Sequence, residues 1–156
     1  MNNLLHALLY TEPDYVYLLL RMTAGSIIFP YGMQKLLGWF ADFGGGVGVT
    51  ASLAQMRAKH IPAALGWLIT LGQSVGSVML LLGCFSRLAA AANFLIFTGA
   101  VFVHAPEGWT MNWLGKKRGE GVEYFILLLA ILAVVIVRGS GPCSFDYWLY
   151  VKSILS

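Results

Sequence analysis

Four long apolar runs restrict this chain more than any motif does. They read as about Tyr15–Leu37 (YVYLLLRMTAGSIIFPYGMQKLL), Ala63–Cys84 (AALGWLITLGQSVGSVMLLLGC), Leu88–His104 (LAAAANFLIFTGAVFVH) and Val122–Val137 (VEYFILLLAILAVVIV). A helix that crosses a bilayer needs about 20 mostly apolar residues, within a range of roughly 17–25. In hydrocarbon the backbone has no water to bond to, and a helix bonds to itself. The runs are continuous rather than alternating, which excludes barrel strands. Composition agrees: charged residues make up 11% of the 156 and hydrophobic residues 58%, where a soluble domain carries about 25% charged. The same numbers exclude disordered, coiled-coil and collagen-like chains. A net charge of +3, scattered along the chain, is too small for a nucleic-acid footprint. The expected architecture is one domain over residues 1–156: an all-α, integral membrane four-helix bundle embedded in a lipid bilayer.

Phe85, Ser86 and Arg87 alone join the second and third runs, so those helices must be antiparallel neighbours. Gly25, Gly32, Gly72, Gly76, Ser77 and Ala89 to Ala92 suit close packing between helices. Pro30 is expected to kink the first span. In loop one the GGGVG stretch has no GK[ST] after it, so it reads as a turn rather than a phosphate loop. Val49–Lys59 then reads as a short amphipathic helix at the interface. After the fourth run, Gly141 and Pro142 make a turn, and Ser144 or Asp146 is placed to cap a second interfacial helix, Tyr147–Leu155.

Four spans put both termini on one side. Trp39, Trp67, Trp109 and Trp113 mark one interface, and Tyr10, Tyr15, Tyr147, Trp148 and Tyr150 the other. The face of loop one (about Gly38–Ile61) and loop three (about Ala105–Gly121) holds Lys35, Arg57, Lys59, Lys116, Lys117 and Arg118, against Arg21, Arg87, Arg138 and Lys152 on the terminal face. The positive-inside bias then puts the termini outside the cytoplasm. MNNLLHALLYTEPD lacks a basic start and a long apolar core, so it does not read as a secretory signal, and the first span is expected to direct insertion.

Polar side chains at membrane depth are costly and mark candidate sites. Lys35, His104 and Glu123 end or begin three different spans on the face of loops one and three. His104 set against Glu123 would favour the imidazolium; a first-turn acid also simply complements its helix dipole. Gln73 stands mid-span and must bond inside the bundle, as a cross-link or as a ligand contact. These four residues suit a quinone headgroup, with donors for its carbonyls and a proton carrier at the aqueous edge. Phe29, Tyr31, Phe97, Phe102, Tyr124 and Phe125 would supply ring contacts; an anion or a lipid headgroup fits the same residues. On the terminal face, Asp146 is placed to pair with Arg21 or Arg87 and close the bundle. Cys84 and Cys143 share that face, where an oxidising compartment would allow a disulfide. Neither belongs to a CxxC or another metal-ligand spacing, so no metal is expected.

The chain resembles the DoxX family of small four-helix bacterial membrane proteins over about Leu20 to Asp146. The residues that carry the resemblance are Arg21-Met-Thr-Ala-Gly25, Phe29, Gly32 and the QKL around Lys35, then Phe40 and the loop-one glycines. Pro62, Gly76, Leu81, Gly83, Ser86, Arg87, Ala90 and His104 follow, with Gly121-Val122-Glu123-Tyr124, Gly141-Pro142 and Ser144-Phe145-Asp146. Gln73 and Ser77 depart from the pattern, where relatives often carry Glu and Gly. The resemblance implies a bacterial cytoplasmic membrane and a subunit of an oxidoreductase assembly, one branch being associated with thiosulfate:quinone oxidoreductase and others with thiol redox balance. Whether such a subunit is itself catalytic stays open. Two expectations stand together: a redox-associated subunit binding a quinone, in a homo-oligomer or a larger complex, and a non-enzymatic anchor or scaffold for a partner protein.

Overall fold

The structure, a computed structural model, describes residues 7–41, 48–115 and 119–155. Most of the GGGVG stretch and all of Lys116, Lys117 and Arg118 lie outside the described residues. The described secondary structure is helical throughout: α1 (Tyr15–Leu37), α2 (Gly48–Ala58), α3 (Ala63–Leu82), α4 (Ser86–His104), a 3-10 turn (Ala105–Glu107), α5 (Glu123–Arg138) and α6 (Phe145–Leu155). Among the described residues three stretches are long and apolar enough to cross a membrane: α1, α3, and Ser86–Glu107, which extends α4 through the turn. The fourth run does form a helix, but α5 has only 16 residues. At ~1.5 Å per residue it reaches about 24 Å, short of the roughly 30 Å hydrocarbon core. Its ends explain this. Val122 donates its N–H to the carbonyls of Gly108 (3.2 Å) and Trp109 (2.9 Å) in loop three, and Gly139 leaves the helix at φ 89°.

Helix ends follow local chemistry. The Asp14 carboxylate accepts from the Val16 N–H (2.8 Å) and caps α1, which runs through Pro30 to a left-handed Gly38. α3 closes at Gly83, φ 68°, with Gly83 N–H bonded to the Leu80 carbonyl and Cys84 N–H to that of Met79. This is the paired bonding of a Schellman end, which left-handed glycine permits. Ser144 Oγ accepts from the Tyr147 N–H (3.1 Å) and caps α6, which begins two residues earlier than the periodicity predicts.

α1 packs on α3, α3 on α4, α4 on α5, and α5 back on α1. Between them lie Ala24, Ile28, Leu80, Ala89, Ala90, Phe97, Leu128, Leu132 and Val135, all buried. Glycines set the approach of the helices. The backbone of α3 at Gln73 and Ser74 lies directly against Gly32 of α1, and Ile96 of α4 packs over Gly72. α2 rests beside α1 and α3, with Leu53 and Met56 over Gly66.

At the terminal end the polar side chains serve the backbone. Arg21, 1% exposed, donates to the carbonyls of Ser140 (2.9 Å), Leu80 (2.5 Å), Leu81 (2.7 Å) and Cys143 (3.3 Å). Arg87 donates to the carbonyls of Tyr10 and Ile136. Asp146 accepts from the Phe85 N–H (2.7 Å) and the Ser86 N–H (2.8 Å), the first turn of α4. So the expected Asp146–arginine pairing takes a different form. Each group caps a helix end, because helix termini leave unpaired donors and acceptors that hydrocarbon cannot satisfy. Asp146→Ala is therefore expected to lower stability by about 1–2 kcal/mol, the size of a lost N-cap, in equilibrium unfolding in detergent. A variant as stable as the parent would contradict the capping role.

Candidate functional site

The opposite end of the helices, where loops one and three lie, carries Lys35, His104 and Glu123 of the sequence-derived site residues. α4 does not stop at His104. Its chain tightens into the 3-10 turn, and that turn swings Glu107 back under the imidazole. His104 Nδ1 and Glu107 Oε2 are 2.7 Å apart, with the side chains 24% and 38% exposed. The acid facing His104 is thus Glu107, three residues on, and not Glu123 as expected. A chain reversal of this kind follows Pro106, whose fixed φ suits a tight turn.

Glu123 has a different task. Its carboxylate accepts from the Met111 N–H (3.0 Å) and from the Trp113 indole N–H (2.8 Å). Glu107 is used a second time, accepting from the Glu120 N–H (2.7 Å), with Gly119 packed against its carboxyl group. Two carboxylates therefore hold loop three in place over the helix ends. Gly121 is pressed on the carbonyls of Trp109 and Thr110, so the loop closes tightly before α5 begins.

Beneath this loop runs an aromatic stack. The His104 ring lies on Phe125 (centroids 5.3 Å, planes 23° apart), and Phe125 lies on the buried Phe97 (6.1 Å, 28°). Tyr124 meets Phe125 edge-on at 5.4 Å. The stack leads from a half-exposed imidazole to the interior. Lys35 ends α1 at the same end of the molecule and is half-buried. Gln73 stands at mid-α3, 6% exposed. Phe29 pairs with Phe40 instead of joining the stack, and Phe102 faces outward.

Several buried polar atoms here find no hydrogen-bond partner among the described residues: Gln73 Oε1, Asn93 Oδ1 and Tyr124 Oη, with Ser86 Oγ nearer the other end. Such atoms are uncommon in folded proteins and call for a specific explanation. Asn93 escapes the sequence-level search, although the argument that singled out Gln73, an amide with no route to the headgroups, applies to it equally.

On the terminal face Cys84 and Cys143 are free thiols, Cys84 partly buried and Cys143 exposed. Burial, with the Asp146 carboxylate adding to it, pushes the Cys84 thiol above its ordinary pKa. Cys143 sits at a left-handed φ of 55°. Three shallow grooves, of about 420, 600 and 430 Å³, meet at Cys143. They are walled by residues such as Leu18, Met22, Leu81, Phe145 and Trp148.

Residues 16–106, more than half of the chain, match the family model described as DoxX. The match runs from α1 into the 3-10 turn and leaves most of loop three and all of α5 outside it. No curated protein and no solved structure matches the chain.

Proposed function

This chain belongs to the DoxX family of multi-pass membrane proteins, and from that premise we propose that it is a subunit of a membrane redox assembly that holds a quinone headgroup under loop three. In this reading α5 is a fourth span, shortened at its start by loop three, in the cytoplasmic membrane of a bacterium with the termini on the outer side. A quinone needs an apolar slot, hydrogen-bond donors for its carbonyls, and a proton carrier at the water's edge. The observation that carries the reading is the buried, unpartnered Tyr124 hydroxyl beside the Phe97–Phe125–His104 stack, which ends on Glu107 at the surface.

The residues present fit such a ligand. Tyr124 and Lys35 are donors, the stacked rings offer flat apolar surface, and Gln73 lines the interior at the depth of Gly32. The quinone would supply the two-electron chemistry; the protein's part is to bind, orient and protonate. His104 is placed to carry a proton between bulk water and the ligand, since its ring stands between the surface carboxylate of Glu107, which holds it in one orientation, and the inward-leading Phe125. Glu123 acts indirectly, by fixing loop three through Trp113.

Binding of a short-chain quinone to the purified chain in lipid nanodiscs tests this. His104→Ala should weaken binding at least tenfold, or about 1.4 kcal/mol, while the helix content and unfolding temperature stay near those of the parent. Saturable quinone binding that His104→Ala and Lys35→Ala both leave unchanged would remove the site, and no binding by the parent chain would remove the function.

A further inference from the structure

The last helix is tied down on one side and open on the other. α6 makes at most slight contact with the long helices. Asp146 fastens its start to the first turn of α4, and the Tyr150 ring meets Tyr10 edge-on at 5.5 Å. On its outer side Phe145, Trp148 and Lys152 follow one another at helical spacing, and all three are exposed. Lys152 Nζ lies 5.1 Å from the centroid of the Trp148 ring and forms no ion pair among the described residues. In the turn before α6, the exposed Cys143 marks the point where three grooves meet. One, of about 600 Å³, follows Tyr15, Leu18, Leu19 and Met22 of α1 and Leu81 of α3. The other two follow α6 past Phe145, Trp148 and Lys152. Arg21 borders the first groove, but it is buried and bonded to backbone carbonyls. Of the described residues that line the three, only Lys152 offers a free cation.

We propose that this cleft binds one anionic glycerophospholipid, with an acyl chain along the start of α1 and the end of α3 and the phosphate at Lys152. The first groove leads inward from the terminal end of a spanning helix, at the depth of lipid chains. The edge formed by α6 carries the aromatic and basic side chains that belong at headgroup level. An apolar helix laid in the cleft would bury the Lys152 ammonium without a counter-charge. A phosphodiester brings that charge together with the chain that fills the groove. A phosphatidylcholine headgroup carries its own cation and gains less from the lysine. The site lies at the opposite end of the helices from His104 and stands whether or not a quinone binds there.

The test is native mass spectrometry of the full chain released from mixed micelles that hold equal amounts of phosphatidylglycerol and phosphatidylcholine with the same acyl chains. One phosphatidylglycerol should stay on the chain, preferred about fivefold, the worth of one lysine at an anionic surface. Lys152→Gln should bring that preference toward one, while Arg57→Gln, at the end of α2, should leave it unchanged. A bulky maleimide placed on Cys143, the exposed thiol of the two, should remove the retained lipid; it probes the cleft in a chain that has already folded. Equal retention of the two lipids by the parent would overturn the anionic site. A preference kept in Lys152→Gln would overturn the part given to that lysine, and lipid kept beside the maleimide would overturn the cleft. A lipid-free dimer that the maleimide breaks would make a second copy the occupant and overturn the proposal.

Discussion

Gly32→Ala is expected to destabilise the protein by about 3 kcal/mol, the upper range of overpacking costs. The added methyl would stand 2.5 Å from the carbonyl carbon of Gln73 and 2.6 Å from the Ser74 nitrogen. Real Cβ atoms do not approach backbone so closely, and backbone cannot swing aside as a long side chain can. α1 and α3 would have to separate, and their interface holds Ala24, Ile28, Ser74 and Leu80, all fully buried. Gly25→Ala is the control. There the methyl would meet chiefly the end of the Leu81 side chain, at 3.0 Å, with the Leu81 nitrogen at 3.2 Å. A smaller loss follows, because a leucine tip can shift. Equilibrium unfolding in mixed micelles reads both variants. If Gly32→Ala lost no more than Gly25→Ala, the close approach would not be what holds these helices in register.

Arg21→Ala should lower stability by on the order of 3–5 kcal/mol. Removing a buried charge has a favourable side, since its desolvation cost disappears. Against it stand four carbonyls on two segments, the end of α3 and the 140–143 turn, that lose their donor. Of these, Leu80 keeps a bond from Gly83, while Leu81, Ser140 and Cys143 depend on the guanidinium among the hydrogen bonds described. The substitution also leaves a void at the centre of the terminal end, and takes a positive charge away from the buried Asp146. Arg21→Lys should recover only part of the loss, because an ammonium donates from one point and cannot bridge α3 and the 140–143 turn at once. The same unfolding experiment decides it. A change under about 1 kcal/mol in Arg21→Ala would mean that the carbonyls find other donors and that the clamp is not structural.

Much of this fold was legible from pattern. The runs at Tyr15–Leu37, Ala63–Cys84 and Leu88–His104 became helices displaced by no more than two residues at any end. Apolar continuity and the stop signals Gly38 and Gly83 are local properties of the chain. What was not legible was partner choice. His104 lies close to Glu107 in the chain, but Pro106 and Gly108 make that stretch read as loop, and an acid in a loop gives no sign of turning back. Arg21 reads as an ion-pair partner for Asp146, yet it is buried because the end of α3 and the 140–143 turn converge on it with spare carbonyls. Asp146 reads as an ion-pair partner, and becomes the cap of a helix that begins 60 residues earlier. Asn93 went unseen because one amide in an alanine-rich run looks like a tolerated neutral residue.

By itself the sequence determined the solvent of this protein and the kind of element it could use. With 11% charged residues and long unbroken apolar runs, only helices embedded in lipid meet the backbone's need for hydrogen bonds. It also determined where the helices end, because glycines and capping residues act within a turn of their own position. Only the tertiary structure decided what each polar side chain does. Arg21, Glu107, Asn93 and Asp146 find their partners, or fail to find one, across contacts between segments distant in the chain or through a turn that local propensity does not reveal. In hydrocarbon each such group has to bond to whatever the packed helices bring near it, and that is a property of the assembly rather than of any stretch of sequence.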